Sequence, residues 1–239
     1  MTRPDPSGPE LAAAPDAPAT AGLILQLEVG LVQNFCTLVG DPSTGACVVC
    51  DPAFEVDRIL AAVAAHGLRV TAVLLTHSHL DHIEGVPELC RRVGPLPVYI
   101  GAGEQDPVRE LGAAAGQALE LVPLAGGEEL RCGSLAIAVL STPGHTRAGR
   151  SYYLPALAAV LTGDTLFVGS CGRPRDPASA AQLFASLQLL GELPEETRLY
   201  PGHDYGPRPT STISWEHEQN PFLRCRDAAA FTALLRRRG

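Results

Sequence analysis

Lysine is missing from this chain of 239 residues, whose 18 basic residues are all arginine. Schiff-base formation and nucleophilic attack by a lysine amine are therefore excluded. Long apolar runs are missing too, and none reaches the roughly 20 residues that a membrane-spanning helix needs. Near the N-terminus, Pro15, Asp16 and Pro18 interrupt the only stretch that could form the apolar part of an export signal. We therefore expect a cytoplasmic protein that does not enter a membrane.

Clusters of positive charge are scarce in the sequence. The formal net charge is -8, whereas nucleic-acid binding depends on grouped cations that neutralise phosphates. We therefore do not expect nucleic acid as a partner. The hydrophobic share of 46% and the charged share of 18% are typical of an ordinary globular protein.

The first 21 residues contain five prolines and no periodic apolar pattern. Such a segment cannot bury enough apolar surface to offset the entropy that it loses on ordering. We predict a disordered arm over residues 1–21. The remainder, residues 22–239, is predicted to form one domain with a short helical tail, because no Gly/Ser-rich or charged stretch divides it.

The seven cysteines are an odd number, and without an export signal we expect them to stay reduced. Cys47 and Cys50 form a C-x-x-C pair, which could in principle bind a metal. The surrounding residues are apolar and typical of a strand, where side chains three positions apart point to opposite faces. We therefore favour a structural role for both thiols over a shared metal site.

Short apolar runs alternate with helical repeats over the rest of the chain. The predicted strands cover residues 23–28, 31–39, 46–50, 70–75, 97–100, 118–122, 135–140, 151–154, 158–162 and 198–200. The predicted helices cover residues 54–66, 81–92, 104–114 and 178–190. The first three strands favour an antiparallel meander, and the alternation that follows predicts an α/β sandwich. In such folds the functional site is built from loops at the strand ends.

A group of histidines and aspartates directly follows the apolar run at residues 70–75. His77 and His79 are two positions apart on extended backbone, so both imidazoles can point towards one cation. Asp81 and His82 begin the next turn. Four such residues within six positions are hard to explain as core, because His and Asp are rarely buried without partners. The sequence therefore predicts a metal site.

This H-x-H-x-D-H motif resembles the metallo-β-lactamase superfamily, and three later motifs follow in the same order as in that family. They are the loop Thr142–Thr146 with His145, the segment Thr162–Phe167 with Asp164, and Tyr200–His203 with His203. The resemblance covers about residues 23 to 225. It implies an αββα sandwich with two mixed β-sheets flanked by helices.

The resemblance also implies a set of metal ligands. One metal would be held by His77, His79 and His145, and a second by Asp81, His82 and His203, with Asp164 between them. Asp81 and His82 are the predicted catalytic residues within this set. We expect two Zn²⁺ ions per chain, with Fe²⁺ or Mn²⁺ as alternatives, because imidazole and carboxylate ligands suit all three metals.

Within the superfamily the sequence resembles glyoxalase II, the hydroxyacyl-glutathione thioesterase, and the related persulfide dioxygenases. This likeness implies substrate contacts from Arg173 and Tyr205, although the former could be a surface ion pair and the latter a packing residue. Two features differ from those of glyoxalase II. Arg175 stands near the position where an aromatic residue is expected. The segment after His203 has only 36 residues, whereas glyoxalase II carries a longer helical C-terminal region.

Three functions remain open from the sequence. The first is hydrolysis of a small thioester such as an acyl-glutathione by metal-bound hydroxide, which needs no strong acid because a thiolate leaves readily. The second is oxygenation of glutathione persulfide by one Fe²⁺ held by His77, His145 and Asp164. The third is a catalytically silent metal-binding scaffold. We expect a glutathione-linked or other small thioester substrate and a monomer or homodimer.

Overall fold

Two six-stranded sheets form the centre of the computed structural model, which describes residues 22–238. The predicted disordered arm, residues 1–21, lies outside the described residues. Within the described part of the chain, no helix is both long and apolar enough to cross a membrane.

The first sheet is antiparallel in one half and parallel in the other. Its strands, in order across the sheet, are β1 (Leu23–Val29), β2 (Asn34–Asp41), β3 (Ala46–Cys50), β4 (Arg69–Leu74), β5 (Pro97–Gly101) and β6 (Glu120–Leu124). Pairing of β1, β2 and β3 is antiparallel, which confirms the predicted meander. Pairing from β3 to β6 is parallel, so these strands end at the same edge of the sheet.

The second sheet and a small two-stranded ribbon contain the remaining strands. These are β7 (Glu129–Cys132), β8 (Leu135–Ser141), β9 (Arg150–Leu154), β10 (Ala159–Gly163), β11 (Leu166–Phe167), β12 (Ser170–Cys171), β13 (Arg198–Pro201) and β14 (Ser211–Thr212). The sheet order is β14-β13-β10-β9-β8-β7, and β11 pairs only with β12. Only β10 and β13 are parallel, so this sheet is also mixed.

Helices cover the outer face of each sheet. They are α1 (Val56–Ala65), α2 (Leu80–Ile83), α3 (Val86–Val93), α4 (Gln105–Ala114), α5 (Pro177–Gly191), α6 (Ile213–Gln219) and α7 (Ala228–Arg238). Ile59 and Val108 pack against the first sheet, and Leu187 packs against the second. Leu74 and Leu161 belong to the apolar layer between the sheets. The predicted αββα sandwich is confirmed.

The two cysteines of the C-x-x-C pair lie on opposite faces of β3. Cys47 packs towards the helices and Cys50 packs between the sheets, and both are buried. All seven cysteines are free thiols. This placement agrees with the structural role predicted for the pair.

Several predicted element boundaries were wrong. The strand predicted from residue 31 begins at Asn34, because residues 30–33 form a turn in which Gln33 has a φ of 59°. The helix predicted over residues 81–92 is two helices, α2 and α3. They are separated at Gly85, where a Cβ atom would lie 2.5 Å from the Pro52 carbonyl oxygen. Strands β7, β11, β12 and β14 were not predicted, and the predicted helical tail consists of α6 and α7.

Candidate metal centre

All seven predicted metal ligands lie at one edge of the sandwich, where the two sheets approach each other. The first four follow β4 in the first sheet, whereas the other three follow β8, β10 and β13 in the second. These residues are His77, His79, Asp81, His82, His145, Asp164 and His203. The site is therefore assembled from both sheets, by loops that begin where buried strands end.

The seven side chains divide into two groups of possible ligands. The first donor group contains His77, His79, His145 and Asp164, and the second contains Asp81, His82 and His203. Within each group, one potential ligand atom per residue lies within 4.8 Å of all the others. Each group is thus compact enough for its atoms to share one ion.

Asp164 lies between the two donor groups. Its Oδ2 is 3.4 Å from His145 Nε2 in the first group and 3.5 Å from His203 Nε2 in the second. Its Oδ1 is 3.4 Å from His82 Nε2. One carboxylate therefore reaches both groups, as the sequence resemblance implied.

Asp51 supports histidines of both donor groups, although it is not itself among the seven. His82 Nδ1 lies 3.0 Å from Asp51 Oδ2, which also accepts a hydrogen bond of 2.6 Å from the Thr76 hydroxyl. The Thr76 oxygen is in turn 3.0 Å from His77 Nδ1. Because the Nδ1 atoms face these oxygens, the Nε2 atoms of His77 and His82 are directed into the site.

Backbone carbonyls orient two further imidazoles. His203 Nδ1 lies 3.0 Å from the Val32 oxygen, and His145 Nδ1 lies 3.2 Å from the Arg173 oxygen. A proton on each Nδ1 leaves the Nε2 lone pair free for a cation. Four histidines therefore share the arrangement that is usual for metal ligands in proteins.

The donor set fits a metal cofactor on two observations. Asp164 Oδ1 is buried and accepts no hydrogen bond within residues 22–238, although a buried carboxylate oxygen normally accepts one. In addition, His79 Nδ1 lies 3.0 Å from both His77 Nε2 and His145 Nε2, which brings three imidazole nitrogens together. Cations that prefer nitrogen and carboxylate ligands suit this combination.

Burial favours the neutral form of the histidines in the first donor group. It is the main cause that lowers the pKa values of His77, His79 and His145, and neighbouring imidazoles add to the effect. The charge of Arg175 also contributes to the lowered pKa of His79. Neutral imidazole is the form that binds a metal.

His82 behaves in the opposite way in the metal-free protein. Burial alone lowers its pKa, but Asp164, Asp51 and Asp81 outweigh burial and raise the pKa to about 9. The pKa of Asp164 is held well below its usual range, because His82 and the other imidazoles outweigh the effect of burial. At neutral pH a metal must therefore displace a proton from His82 before this side chain can bind it.

Glu104 connects two of the loops that form the first donor group. Its buried carboxylate accepts hydrogen bonds from the backbone N–H of Ser78, at 2.9 Å, and of Ala148, at 2.7 Å. Ser78 lies between His77 and His79, and Ala148 follows His145. Sequence reasoning missed Glu104, and also Asp51. Their common signal is an acidic residue just beyond the end of a parallel strand of the first sheet.

The two predicted substrate contacts occupy different places. Tyr205 stacks on His203, with ring centroids 4.4 Å apart and an interplanar angle of 11°, and its side chain is 53% exposed. Arg173 is exposed and lines a cavity of about 430 Å³ together with Arg236. Tyr205 therefore lies directly at the metal centre, whereas Arg173 faces a cavity to which none of the seven ligand residues contributes.

A second cavity, of about 560 Å³, adjoins the first donor group and is bordered by Ser78 and His145. Arg147 and Arg175 also line it. Neither arginine was assigned a role from the sequence, since a single arginine in a loop carries no signal of its own.

Residues 29–203 match the metallo-β-lactamase superfamily. The chain belongs to this superfamily. The match begins in β1 and ends at His203, so it contains every residue of the two donor groups. The resemblance found in the sequence is thereby confirmed.

Relatives within the superfamily include hydroxyacylglutathione hydrolases. The one from Thermosynechococcus vestitus is 36% identical over 211 residues, which cover 86% of this chain and 79% of the relative. Others with this name match over 63% to 66% of their own length. This chain therefore spans about two thirds of several of these relatives.

Solved structures of other superfamily members have the same architecture. ETHE1 from Myxococcus xanthus is 34% identical, with a TM-score of 0.75 over 90% of both chains. The crystal structure of TTHA1623 shows a di-iron-bound form of that protein. TTHA1623 is 35% identical to this chain, and the two structures align with a TM-score of 0.68 over 83% of this chain and 99% of TTHA1623. A likeness at this level supports a metal cofactor in the present chain, because the donor residues are all in place.

Proposed function

We propose that the protein is a metal-dependent hydrolase that cleaves a glutathione thioester or a related small thioester. The observation that carries this proposal is the pair of adjacent donor groups joined by Asp164. The similarity to hydroxyacylglutathione hydrolases supports the choice of substrate class.

In this proposal each donor group holds one ion, and Zn²⁺ is the expected metal. His77, His79 and His145 would hold the first, Asp81, His82 and His203 would hold the second, and Asp164 lies between the two groups. Bound metal would supply an activated water with a pKa near neutrality and would polarise a substrate carbonyl. The di-iron form of TTHA1623 makes Fe²⁺ the alternative metal.

The residues of the chain itself position these ligands and the substrate. Asp51 fixes the rings of His82 directly and of His77 through Thr76. Tyr205, stacked on His203, offers an aromatic face and a hydroxyl group at the opening of the site. We assign Tyr205 to substrate contact, and Arg173 to the outer part of the substrate.

The reaction needs little acid catalysis from the protein. A thiolate is a good leaving group, because an ordinary thiol has a pKa of about 8.5. The absence of lysine from the sequence is therefore no obstacle to thioester cleavage. Ligand placement and substrate binding are the main tasks that remain for the side chains.

The second candidate function is oxygenation of glutathione persulfide by a single iron. The sequence resemblance to persulfide dioxygenases favours it, and the structural similarity to ETHE1 extends over 90% of both chains. In this alternative His77, His145 and Asp164 would hold the iron, and its chemistry would be the activation of dioxygen.

Metal analysis combined with two assays distinguishes the candidates. The full chain is loaded with zinc or iron, its metal content per chain is measured, and it is tested with S-lactoylglutathione and with glutathione persulfide. We expect two metals per chain and thioester hydrolysis. One iron per chain with rapid oxygen uptake would establish the alternative, and the absence of thioester cleavage in both metal forms would refute our first proposal.

The variant Asp164→Asn tests the bridging role within the same experiment. Loss of the shared carboxylate should lower the metal content and reduce hydrolysis by at least about 100-fold, the scale expected for loss of a metal that activates water. Asp106→Asn is the matched control, because Asp106 is an exposed aspartate of α4 that pairs only with Arg109. A fully active, fully loaded Asp164→Asn protein would contradict the two-metal site.

A further inference from the structure

The cavity beside the first donor group is a candidate substrate pocket. Its volume of about 560 Å³ lies within the range of small-molecule sites. Ser78 and His145 border it, so a molecule inside the cavity contacts the loops that carry the metal ligands. The side chains around the cavity are therefore placed to contact a substrate bound at the first donor group.

Two arginines of this cavity carry charges without partners. Within residues 22–238, neither Arg147 nor Arg175 makes a hydrogen bond or an ion pair with another side chain or with the backbone. Several other arginines do have such partners. The guanidinium of Arg92 lies 2.7 Å from a carboxylate oxygen of Asp57, and buried Arg150 donates to four backbone carbonyls.

The acidic residues around the cavity are already occupied by backbone groups. Glu104 accepts from two backbone N–H groups in neighbouring loops. Asp176 caps helix α5 by accepting from the backbone and the hydroxyl of Ser179. The cavity therefore presents two positive groups that are available to an anion.

An anion needs such groups to approach this protein. The net charge of the chain is -8, which repels an anion at long range. Local positive charge at the opening offsets this repulsion and draws a negatively charged substrate inwards. Arginine suits a carboxylate in particular, because its planar fork can donate two parallel hydrogen bonds.

We propose that Arg147 and Arg175 bind a carboxylate of the substrate, so that the enzyme prefers thioesters carrying a negative charge. This inference rests on the proposed thioesterase function and specifies its substrate class. The carboxylate can belong to the thiol part, as in glutathione, or to the acyl part, as in a dicarboxylic acid bound through one end. The chemistry of recognition is the same in both cases.

Three thioesters separate these two sources. S-lactoylglutathione carries its carboxylates on the thiol part, S-succinyl-N-acetylcysteamine carries one on the acyl part, and S-lactoyl-N-acetylcysteamine is neutral. Kinetics are measured on the metal-loaded full chain for Arg147→Gln, Arg175→Gln and the double variant. Arg69→Gln is the control, because Arg69 is exposed at the start of β4, at the end of that strand opposite the site.

Each single substitution should raise the KM for a carboxylate-bearing substrate by about tenfold, the scale of one hydrogen bond to a charged group. The KM of the neutral thioester should stay unchanged, as should every parameter of Arg69→Gln. The charged substrate that responds identifies the part of the molecule that carries the bound carboxylate. Unchanged kinetics with both charged substrates, or an equal loss with the neutral one, would overturn the proposal.

Binding of unreactive probes separates this proposal from the hydrolase function. Affinities for S-methylglutathione and for succinate are measured by calorimetry with the wild-type protein and with the double variant. We expect at least one probe to bind the wild-type protein at least about tenfold more tightly than the variant. If no thioester is cleaved but this difference is present, the hydrolase assignment fails and the carboxylate site stands. If neither probe shows the difference, the carboxylate site is refuted.

Discussion

At the scale of single residues, Asp51 helps to orient two histidines of the candidate metal centre. Its carboxylate touches His82 directly and reaches His77 through the Thr76 hydroxyl. Residues that orient metal ligands in this way commonly affect metal affinity by roughly 10- to 100-fold. Asp51 thus orients histidines of both donor groups, although it is not among the seven predicted ligands.

The substitution Asp51→Asn should therefore weaken metal binding by roughly 10- to 100-fold, because an amide cannot accept all the hydrogen bonds that the carboxylate accepts. Competition with a coloured chelator measures this affinity. Asp57→Asn provides the control, since Asp57 is an exposed aspartate of α1 that pairs with Arg92. An Asp51→Asn protein with wild-type affinity would show that the hydrogen bonds of Asp51 are not needed.

His82 gives the metal-free protein a dependence of stability on pH. Its pKa is raised to about 9 in the folded state, against about 6.5 in an unfolded chain. The stabilisation from protonated His82 is therefore complete below about pH 6.5 and is lost as the pH rises through about 9. Denaturant unfolding of chelator-treated protein between pH 6.5 and 8, below the pKa of about 8.5 of cysteines in an unfolded chain, should show a falling free energy of unfolding.

The variant His82→Asn should lack this decline, because it has no group that titrates at that position. The lowered pKa values of His77, His79 and His145 act below this window, where stability falls as the pH is lowered. A decline of equal size in His82→Asn would mean that another group is responsible.

Sequence reasoning identified the residues of both donor groups but not the residues that support them. His77, His79, Asp81 and His82 are close together in the sequence, so their grouping is visible without a structure. Asp51 and Glu104, by contrast, are isolated acidic residues, and their roles depend on loops that meet only in the folded chain.

At the scale of elements, the ends of strands determine the geometry of the site. The loop after β13 approaches so closely that a Cβ atom on Gly202 would lie 2.5 Å from Asp164 Oδ1 and 2.9 Å from His82 Cε1. Gly202 also ties this loop to the other sheet, since its carbonyl accepts from the Phe35 N–H at 2.8 Å. Glycine is thus required here by space rather than by backbone conformation.

The substitution Gly202→Ala should therefore displace Asp164 or His82 and reduce the metal content. Gly169→Ala is a useful comparison, because Gly169 has a φ of 74° but no neighbour closer than 3.6 Å to an added Cβ. This control should lose about 1 to 3 kcal/mol of stability through backbone strain while keeping its metal. Elemental analysis and thermal unfolding measure the two effects, and equal metal loss in both variants would contradict the steric explanation.

Short or polar elements were the hardest to predict. Strands β7 and β14 have only four and two residues, so neither shows enough alternation to be distinguished from a loop. Longer strands such as β3 and β4 are continuous apolar runs, because both of their faces are covered, and these were predicted.

At the scale of the whole molecule, the fold keeps almost all of its thiols away from solvent. Six of the seven cysteines are buried, and only Cys225 is partly exposed. Burial raises the pKa values of these buried thiols and suppresses the reactive thiolate form.

A bulky aromatic disulfide reagent should therefore modify about one thiol per native chain rapidly, as expected when only exposed thiolates react. After denaturation all seven cysteines of the sequence should react. The variant Cys225→Ser should abolish the rapid phase. Rapid modification of two or more thiols in the native protein would contradict the buried arrangement.

The overall architecture could be predicted because it belongs to a superfamily with an ordered set of motifs. The substrate class is a different matter, because it depends on the shape and charge of one cavity. Arg175 was noticed only as a difference from related sequences, and its relation to Arg147 becomes visible where both line the same space.

Each donor group takes residues from both layers of the sandwich. An ion bound by His77 and His145, or by His82 and His203, would connect the two sheets directly. It would also close a loop of many residues in the chain. Folding and metal loading are then thermodynamically linked, since binding to the folded chain alone increases its stability. Chelation should consequently loosen the sandwich as a whole, rather than one surface loop.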